Sequence, residues 1–282
     1  MKNYKIKSHA KLNLSLNVIK KISKNLHKIE SLITFINLHD LIYIKEIKNS
    51  KHKIKFQGKF SKDIPKNNTI SSLLSLLDKN GLLNKKKYEI KIIKNIPQKS
   101  GMGGGSINAS SIVQFFIKKK IFKLSQKKLI YILKSIGSDV QLGIHQKNIS
   151  ILSNGNLKTF KRKLGLYTLL VKPSFGCSTK VIYSKTKIFT IPKYRKPNAS
   201  FFSIRNIIQS NNDLENAAFE VYPKLKKIKN FLSSLPNVIC ARMTGSGSCI
   251  VAYYKSKKSA NKGLKLFKKK YKNYWCIISK TV

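Results

Sequence analysis

Acidic residues are scarce in this sequence: ten Asp and Glu stand against 58 Lys and Arg, a formal net charge of +48 over 282 residues. The scarcity shortens any search for a catalytic base to Glu30, Asp40, Glu46, Asp63, Asp78, Glu89, Asp139, Asp213, Glu215 and Glu220. Cysteine is also sparse. Cys177, Cys240, Cys249 and Cys276 lie 63, 9 and 27 positions apart with no C-x-x-C pair, which excludes zinc-ribbon spacing. A disulfide framework is not expected in a chain of this size, so free thiols in a reducing cytosol are. Long apolar runs are missing too, because Ser31 to Ile44 is interrupted by Asn37, His39 and Asp40. The first residues, Met1-Lys2-Asn3-Tyr4-Lys5, lack the apolar core of a signal peptide. A soluble, cytoplasmic protein without a membrane partner is expected.

The excess of positive charge does not by itself mark a nucleic-acid binder. Lysines are strewn over every segment, and Lys, Asn, Ile, Phe and Tyr are over-used together, as an AT-biased genome would produce. A nucleic-acid surface would combine a localised basic patch with interleaved stacking aromatics, so no specific nucleic-acid partner is expected. The charge still favours anionic ligands.

With 41% hydrophobic residues the chain can build globular cores, and its length fits two domains. Leu12 to Val18 alternates apolar and polar residues and predicts a strand, as do Leu41 to Ile47 and Lys53 to Gln57. Asn67 or Asn68 caps a helix with Ile70, Leu73, Leu74 and Leu77 inward, ended by Gly81. A strand over Tyr88 to Ile96 leads through a glycine-rich loop into a helix reaching about Lys119. Ser125 caps another helix that Gly137 ends. These elements argue for an α+β first domain, residues 1–155. In residues 156–282 the pattern predicts a strand at Tyr167 to Val171, a short helix at Thr179 to Ser184 and a loop at Ile188 to Pro197. Asn212 or Asp213 then opens a helix over Leu214 to Tyr222, restarted by Pro223. A hairpin of Val238 to Met243 with Ile250 to Tyr254, a helix to Tyr271 and a strand at Trp275 to Ser279 complete a ferredoxin-like second domain.

The chain is organised around Pro97-Gln98-Lys99-Ser100-Gly101-Met102-Gly103-Gly104-Gly105-Ser106-Ile107. Four glycines in five positions allow positive φ and leave no Cβ to hold a ligand off the main chain. At a helix start, such a loop aims unpaired N–H groups and the positive helix end at one point, which suits a phosphate group. It is not a Walker loop, since no Lys-Ser/Thr follows the last glycine, and serine at 106 breaks the dinucleotide fingerprint. Among the carboxylates, Asp139 follows a glycine break in Gly137-Ser138-Asp139-Val140, where a helix cap and a functional acid are both open readings. Lys11 and Asn13 share the face opposite the apolar side of their strand. His27 and the turn Thr244-Gly245-Ser246-Gly247-Ser248 carry little on their own.

Their order carries more. Ala10-Lys11-Leu12-Asn13-Leu14, Pro97 to Ala109 and Thr244-Gly245-Ser246-Gly247 are similar to the three motifs of the GHMP small-molecule kinases. Lys-x-Asn-Leu, His27 fourteen residues beyond Asn13, and Gly-Ser-Asp-Val resemble the branch acting on 4-diphosphocytidyl-2-C-methyl-D-erythritol in the non-mevalonate isoprenoid pathway. The resemblance implies a two-domain fold, with an N-terminal ribosomal-protein-S5-domain-2-like α/β domain before the ferredoxin-like one. It implies ATP as co-substrate with Mg²⁺, no protein-bound metal centre, and a monomer or homodimer. Asp139 would be the base that accepts the hydroxyl proton, and Lys11 would keep it ionised. The loop from Pro97 to Ile107 would wrap the ATP phosphates, while Asn13, His27 and Tyr183 would hold the cytidyl substrate.

The sequence departs from that family in places. Its Gly-Tyr-His is here Asn25-Leu26-His27, which removes an aromatic stack worth about 1–3 kcal/mol and predicts weaker cytidine binding. Lys99 stands where a small residue is usual and is expected to point to water. Ile107 replaces a second serine, and Gln141 a proline. Two other readings are another GHMP kinase, such as a homoserine kinase, and a polyanion-binding protein on a decayed kinase fold. The pairing of Lys11 with His27 speaks against the first. The second leaves Lys11, Asp139 and both glycine turns without a role.

Overall fold

The computed structural model describes residues 2–23 and 26–282. In chain order the elements are strands β1 (Asn3–Ser23), β2 (Leu26–Ile47) and β3 (Lys53–Gln57), helix α1 (Thr69–Lys79), strand β4 (Lys87–Ile93), and helices α2 (Gly104–Lys118) and α3 (Gln126–Ile136). A 3₁₀ turn at Val140–Ile144 precedes β5 (Asn148–Ile151), β6 (Leu157–Phe160) and β7 (Tyr167–Lys172). Helices α4 (Thr179–Lys185), α5 (Ile204–Gln209), α6 (Leu214–Val221) and α7 (Pro223–Ser233) follow, with a second 3₁₀ turn at Ala199–Phe201. The chain closes with β8 (Cys240–Met243), β9 (Ile250–Tyr254), α8 (Lys257–Lys270) and β10 (Trp275–Lys280). No helix among the described residues is long and apolar enough to cross a membrane.

Two compact units divide these elements. One comprises residues 1–10, 38–97 and 103–146, and the other 11–37, 98–102 and 147–282. β1 and β2 each contribute residues to both units.

In the first unit, β4 lies between β3, parallel to it with Ile54 opposite Ile90, and the latter half of β2, antiparallel with Ile44 opposite Ile90. Ile42, Ile44, Ile90 and Ile92 pack with Leu73 and Leu77 of α1, Val113 and Phe116 of α2, and Leu133 of α3 in one buried cluster. The helix starts follow the expected chemistry. Asn68 closes a capping box with Ser71 on α1, and the Ser125 hydroxyl accepts from Lys128 N on α3.

In the second unit, β7 to β10 form an antiparallel sheet in the order β10-β7-β9-β8. That is fourth, first, third, second, the ferredoxin-like arrangement expected from the sequence. Leu169, Val171, Ile250 and Ala252 of this sheet bury against Leu225 and Ile228 of α7 and Phe267 of α8. The first half of β2 pairs with β5, and β5 with β6.

Some elements differ from the sequence reading. The strands expected at residues 12–18 and 41–47 are parts of strands of 21 and 22 residues. Residues 10–18 and 30–36 are buried on both faces; the first stretch still alternates, but 30–36 does not, so the first half of β2 shows no strand period. Lys11 therefore sits in the middle of β1 and not at its start. The four-residue strands β5 and β6 and the six-residue helix α5 are too short to impose a period. Of the two residues expected to open α6, Asp213 stands at the N-cap without a side-chain cap bond, and the Asn212 amide oxygen accepts from Leu214 N at 3.1 Å. The Asp213 carboxylate instead accepts from Val18 N at 2.8 Å and the Thr190 hydroxyl at 2.6 Å.

Candidate active site

The second unit gathers segments far apart in sequence. Lys11 and Asn13 are both 4% exposed, and the Lys11 ammonium donates to Asn13 Oδ1 at 2.6 Å. Asn13 Nδ2 donates to the Ser31 hydroxyl at 2.8 Å, which fixes the amide's orientation. From the same strand, Lys11 N donates to Met102 O at 3.1 Å and Asn13 N to the Thr244 hydroxyl at 3.0 Å. The first part of the glycine loop and the Thr244 turn are joined as well. Ser248 N donates to Lys99 O and Cys249 N to Ser100 O, each at 3.2 Å.

Gly101 makes this union possible. Its φ is +76°, and a Cβ there would fall 2.0 Å from Thr244 O, well inside contact distance. The turn itself is held by Asn212, whose Nδ2 donates to Met243 O and Gly245 O at 2.8 Å each. Behind it, Arg242 is buried and donates to Leu14 O at 2.5 Å and to the carbonyls of Ile207 and Ser210. In the sequence Asn212 reads only as a candidate helix cap, and Ser31 and Arg242 give no signal, because single polar residues carry no period or motif.

The first unit holds the rest of the loop and the aspartate. Gly103, with φ +72°, precedes α2 and gives it no side-chain cap, so the N–H groups of Gly104, Gly105 and Ser106 begin a helix with its positive end uncovered. Ile107 does not share this exposure: its N–H donates to Gly103 O at 2.8 Å and its side chain is buried. Pro97 is buried, Gln98 half-buried and Lys99 exposed. Asp139 precedes the 3₁₀ turn but makes no side-chain capping bond to it. That turn is clamped to α2, since the Ser110 hydroxyl donates to Val140 O and a Cβ on Gly143 would lie 2.6 Å from Ser110 Cβ. An uncovered helix start and a half-buried carboxylate beside the same helix thus belong to one unit.

His27 and Tyr183, again in the second unit, come together with ring centroids 5.0 Å apart and planes inclined by 35°. Both imidazole nitrogens are buried without a hydrogen-bond partner. Burial, with the charge of Lys21 second, lowers the His27 pKa, so the ring is neutral at pH 7. Leu26, next to it, is 56% exposed, and Asn25 lies outside the described residues. The cysteines are free, and burial pushes Cys177 up to about 11 and Cys249 up to about 12, which keeps both thiols protonated and unreactive.

Comparison with known proteins places this geometry in a family. The GHMP kinases N terminal domain matches residues 68–151, and GHMP kinases C terminal matches residues 199–273. A 4-diphosphocytidyl-2-C-methyl-D-erythritol kinase of Pelagibacter ubique is 53% identical over 282 residues, all of both chains. A crystal structure of 4-(cytidine 5'-diphospho)-2C-methyl-D-erythritol kinase superposes with a TM-score of 0.76 at 19% identity, covering 98% of this chain and 99% of the other. A homoserine kinase of Cytophaga hutchinsonii superposes with a TM-score of 0.71 at 16% identity, covering 100% and 95%. At such identities the two superpositions speak for the fold alone.

The close approach at Gly101 yields a prediction about stability. Gly155 also has positive φ, +81°, but a Cβ there would meet nothing within 4 Å. Gly155→Ala should therefore cost only backbone strain, on the order of 1 kcal/mol, while Gly101→Ala adds overpacking of about 1–3 kcal/mol. Urea unfolding of both variants measures the difference. Equal losses would show that the loop and the Thr244 turn do not pack this tightly.

Proposed function

This chain belongs to the GHMP kinases, in their 4-diphosphocytidyl-2-C-methyl-D-erythritol kinase branch, and from that premise we propose that it transfers the γ-phosphate of ATP to the tertiary 2-hydroxyl of 4-diphosphocytidyl-2-C-methyl-D-erythritol. The product would feed the non-mevalonate route to isoprenoid precursors. The observation that carries the reading is the meeting of Lys11 and Asn13 with the glycine loop and the Thr244 turn in one unit. Homoserine kinases share the fold, but the full-length 53% identity lies with a cytidyl-linked kinase.

The roles follow from the chemistry of each group. The uncovered N–H groups at Gly104 to Ser106 receive phosphate oxygens, and Gly101 and Gly103 let the backbone approach them. Mg²⁺, when bound with the nucleotide, would supply neutralisation of charge on the transferring phosphate. Among the described residues no group of three or more His, Cys, Asp or Glu could hold a metal ion. The ion would arrive with the nucleotide, bound by phosphate oxygens and water with the Ser106 hydroxyl as a hard oxygen ligand. Asp139 takes the hydroxyl proton as the new oxygen–phosphorus bond forms and the bond to ADP breaks. Lys11 supplies a cation that orients the substrate hydroxyl, while Asn13 holds the ammonium in place. The orphaned nitrogens of His27 await hydrogen bonds from the cytosine edge, and Tyr183 provides a stacking face. Leu26 offers no such face on its side of the base. The enzyme would work in the cytoplasm as a monomer or homodimer, with no nucleic-acid or membrane partner.

Two measurements separate these roles. Asp139→Asn should lower kcat by about 10²–10⁴ while ATP still binds; turnover near that of the parent would remove Asp139 as the base. The second concerns pH. Because the folded His27 pKa lies below 6.5, the neutral ring persists through neutral pH and protonates only at more acidic values. The KM for the cytidyl substrate should be flat above pH 6.5 and rise as pH falls through the lowered pKa. His27→Gln should abolish that rise, and a rise that survives in the variant would assign it to another group.

A further inference from the structure

Asp40 plays no part in the proposed chemistry, yet it is one of the most completely buried charges in the protein, with no solvent exposure. Four donors converge on it, all within the first unit. Oδ1 accepts from Asn95 N at 2.7 Å and Ile96 N at 2.9 Å. Oδ2 accepts from Asn108 Nδ2 at 2.9 Å and from the Lys94 ammonium. Lys94, Asn95 and Ile96 are the last residues before Pro97, where the glycine loop begins, and Asn108 lies in the second turn of α2, where the loop has ended. One carboxylate therefore ties the loop's entrance to its exit. Lys94 adds a further link: a Cβ on Gly104, the first residue of α2, would stand 3.2 Å from Lys94 Nζ and 3.2 Å from Ile96 Cγ2. The paired ammonium thus lies directly against the start of the helix.

We infer that Asp40 is the positioning residue of the nucleotide site, fixing the glycine loop and the first turn of α2 in a phosphate-ready conformation before ATP arrives. The inference rests on the reading of this loop as the ATP site. It explains why a carboxylate sits here when so few are present. Two backbone N–H groups, an amide and an ammonium need an acceptor with about four lone-pair sites, which an ionised carboxylate has and an asparagine does not. It also gives a partner to the amide of Asn108, which is buried at 1% exposure in the second turn of α2. A loop tethered only at one end would have to be ordered by the nucleotide, and that ordering would weaken binding without changing the chemical step.

The test uses Asp40→Asn and Asn108→Ala, the second keeping the Lys94–Asp40 pair while cutting the link to α2. Steady-state kinetics would be measured against ATP and against the cytidyl substrate, with ATP binding to each protein followed by calorimetry. Asp40→Asn should raise KM for ATP by at least about tenfold, leaving the cytidyl KM and kcat at saturating ATP within about threefold, the pattern of lost uniform binding. Asn108→Ala should move the same way by a smaller factor, and it decides the matter alone if Asp40→Asn does not fold. Unchanged or tighter ATP binding in the folded variants, or equal losses toward both substrates, would overturn the inference. Failure of the parent protein to bind ATP would instead defeat the reading of the loop itself.

Discussion

The contact on which the site depends is one between two backbones. Gly101 and Thr244 approach so closely that no side chain fits between them. That approach brings the loop carbonyls of Lys99 and Ser100 within reach of the N–H groups of Ser248 and Cys249, and the Thr244 hydroxyl within reach of Asn13 N. β1 then adds Lys11, through its bond to Met102 O. Each of these bonds is ordinary, worth about 1 kcal/mol net. Together they specify where an ammonium, an amide and a glycine-rich main chain must lie.

The anionic groups of the protein are used in keeping with their rarity. Asp40, Asp213 and Glu215 all accept backbone N–H groups from segments distant in sequence, and Glu30 does so from Lys193 and Tyr194. In a chain with 58 basic residues, a buried carboxylate finds cationic or N–H partners easily, and each becomes a junction for several chain segments. Lysines that have no such task spread over the surface, which fits the view that the charge of +48 is largely compositional.

Much of the local structure was legible from residues alone. The α1 cap at Asn68 and its inward positions Ile70, Leu73, Leu74 and Leu77 stand as the periodicity gives them, and so do β3 and the end of α3 at Gly137. The ferredoxin-like sheet was legible because its strands alternate with helices of clear period. The first half of β2 was not, since residues 30–36 are buried on both faces and do not alternate. Nor was the joining of residues 11–37 and 98–102 in the second unit, because contacts such as that of Lys11 with Met102 leave no trace in local pattern. In the candidate site, glycine spacing marked the loop and a motif marked Lys11 and Asn13. Asn212, Arg242, Ser31 and Asp40 escaped because a lone polar residue shows its partners only after folding.

The central claim is that the site phosphorylates a cytidyl-linked methylerythritol, and not merely that it has the form of a kinase. The direct test is ATP-dependent phosphorylation of 4-diphosphocytidyl-2-C-methyl-D-erythritol by the purified protein with Mg²⁺, with homoserine and mevalonate assayed alongside. The account predicts turnover of the cytidyl compound and none of the other two. Turnover of homoserine or mevalonate in its place would contradict the roles given to His27 and Tyr183, and no turnover of any would contradict the reading of the site as an active kinase.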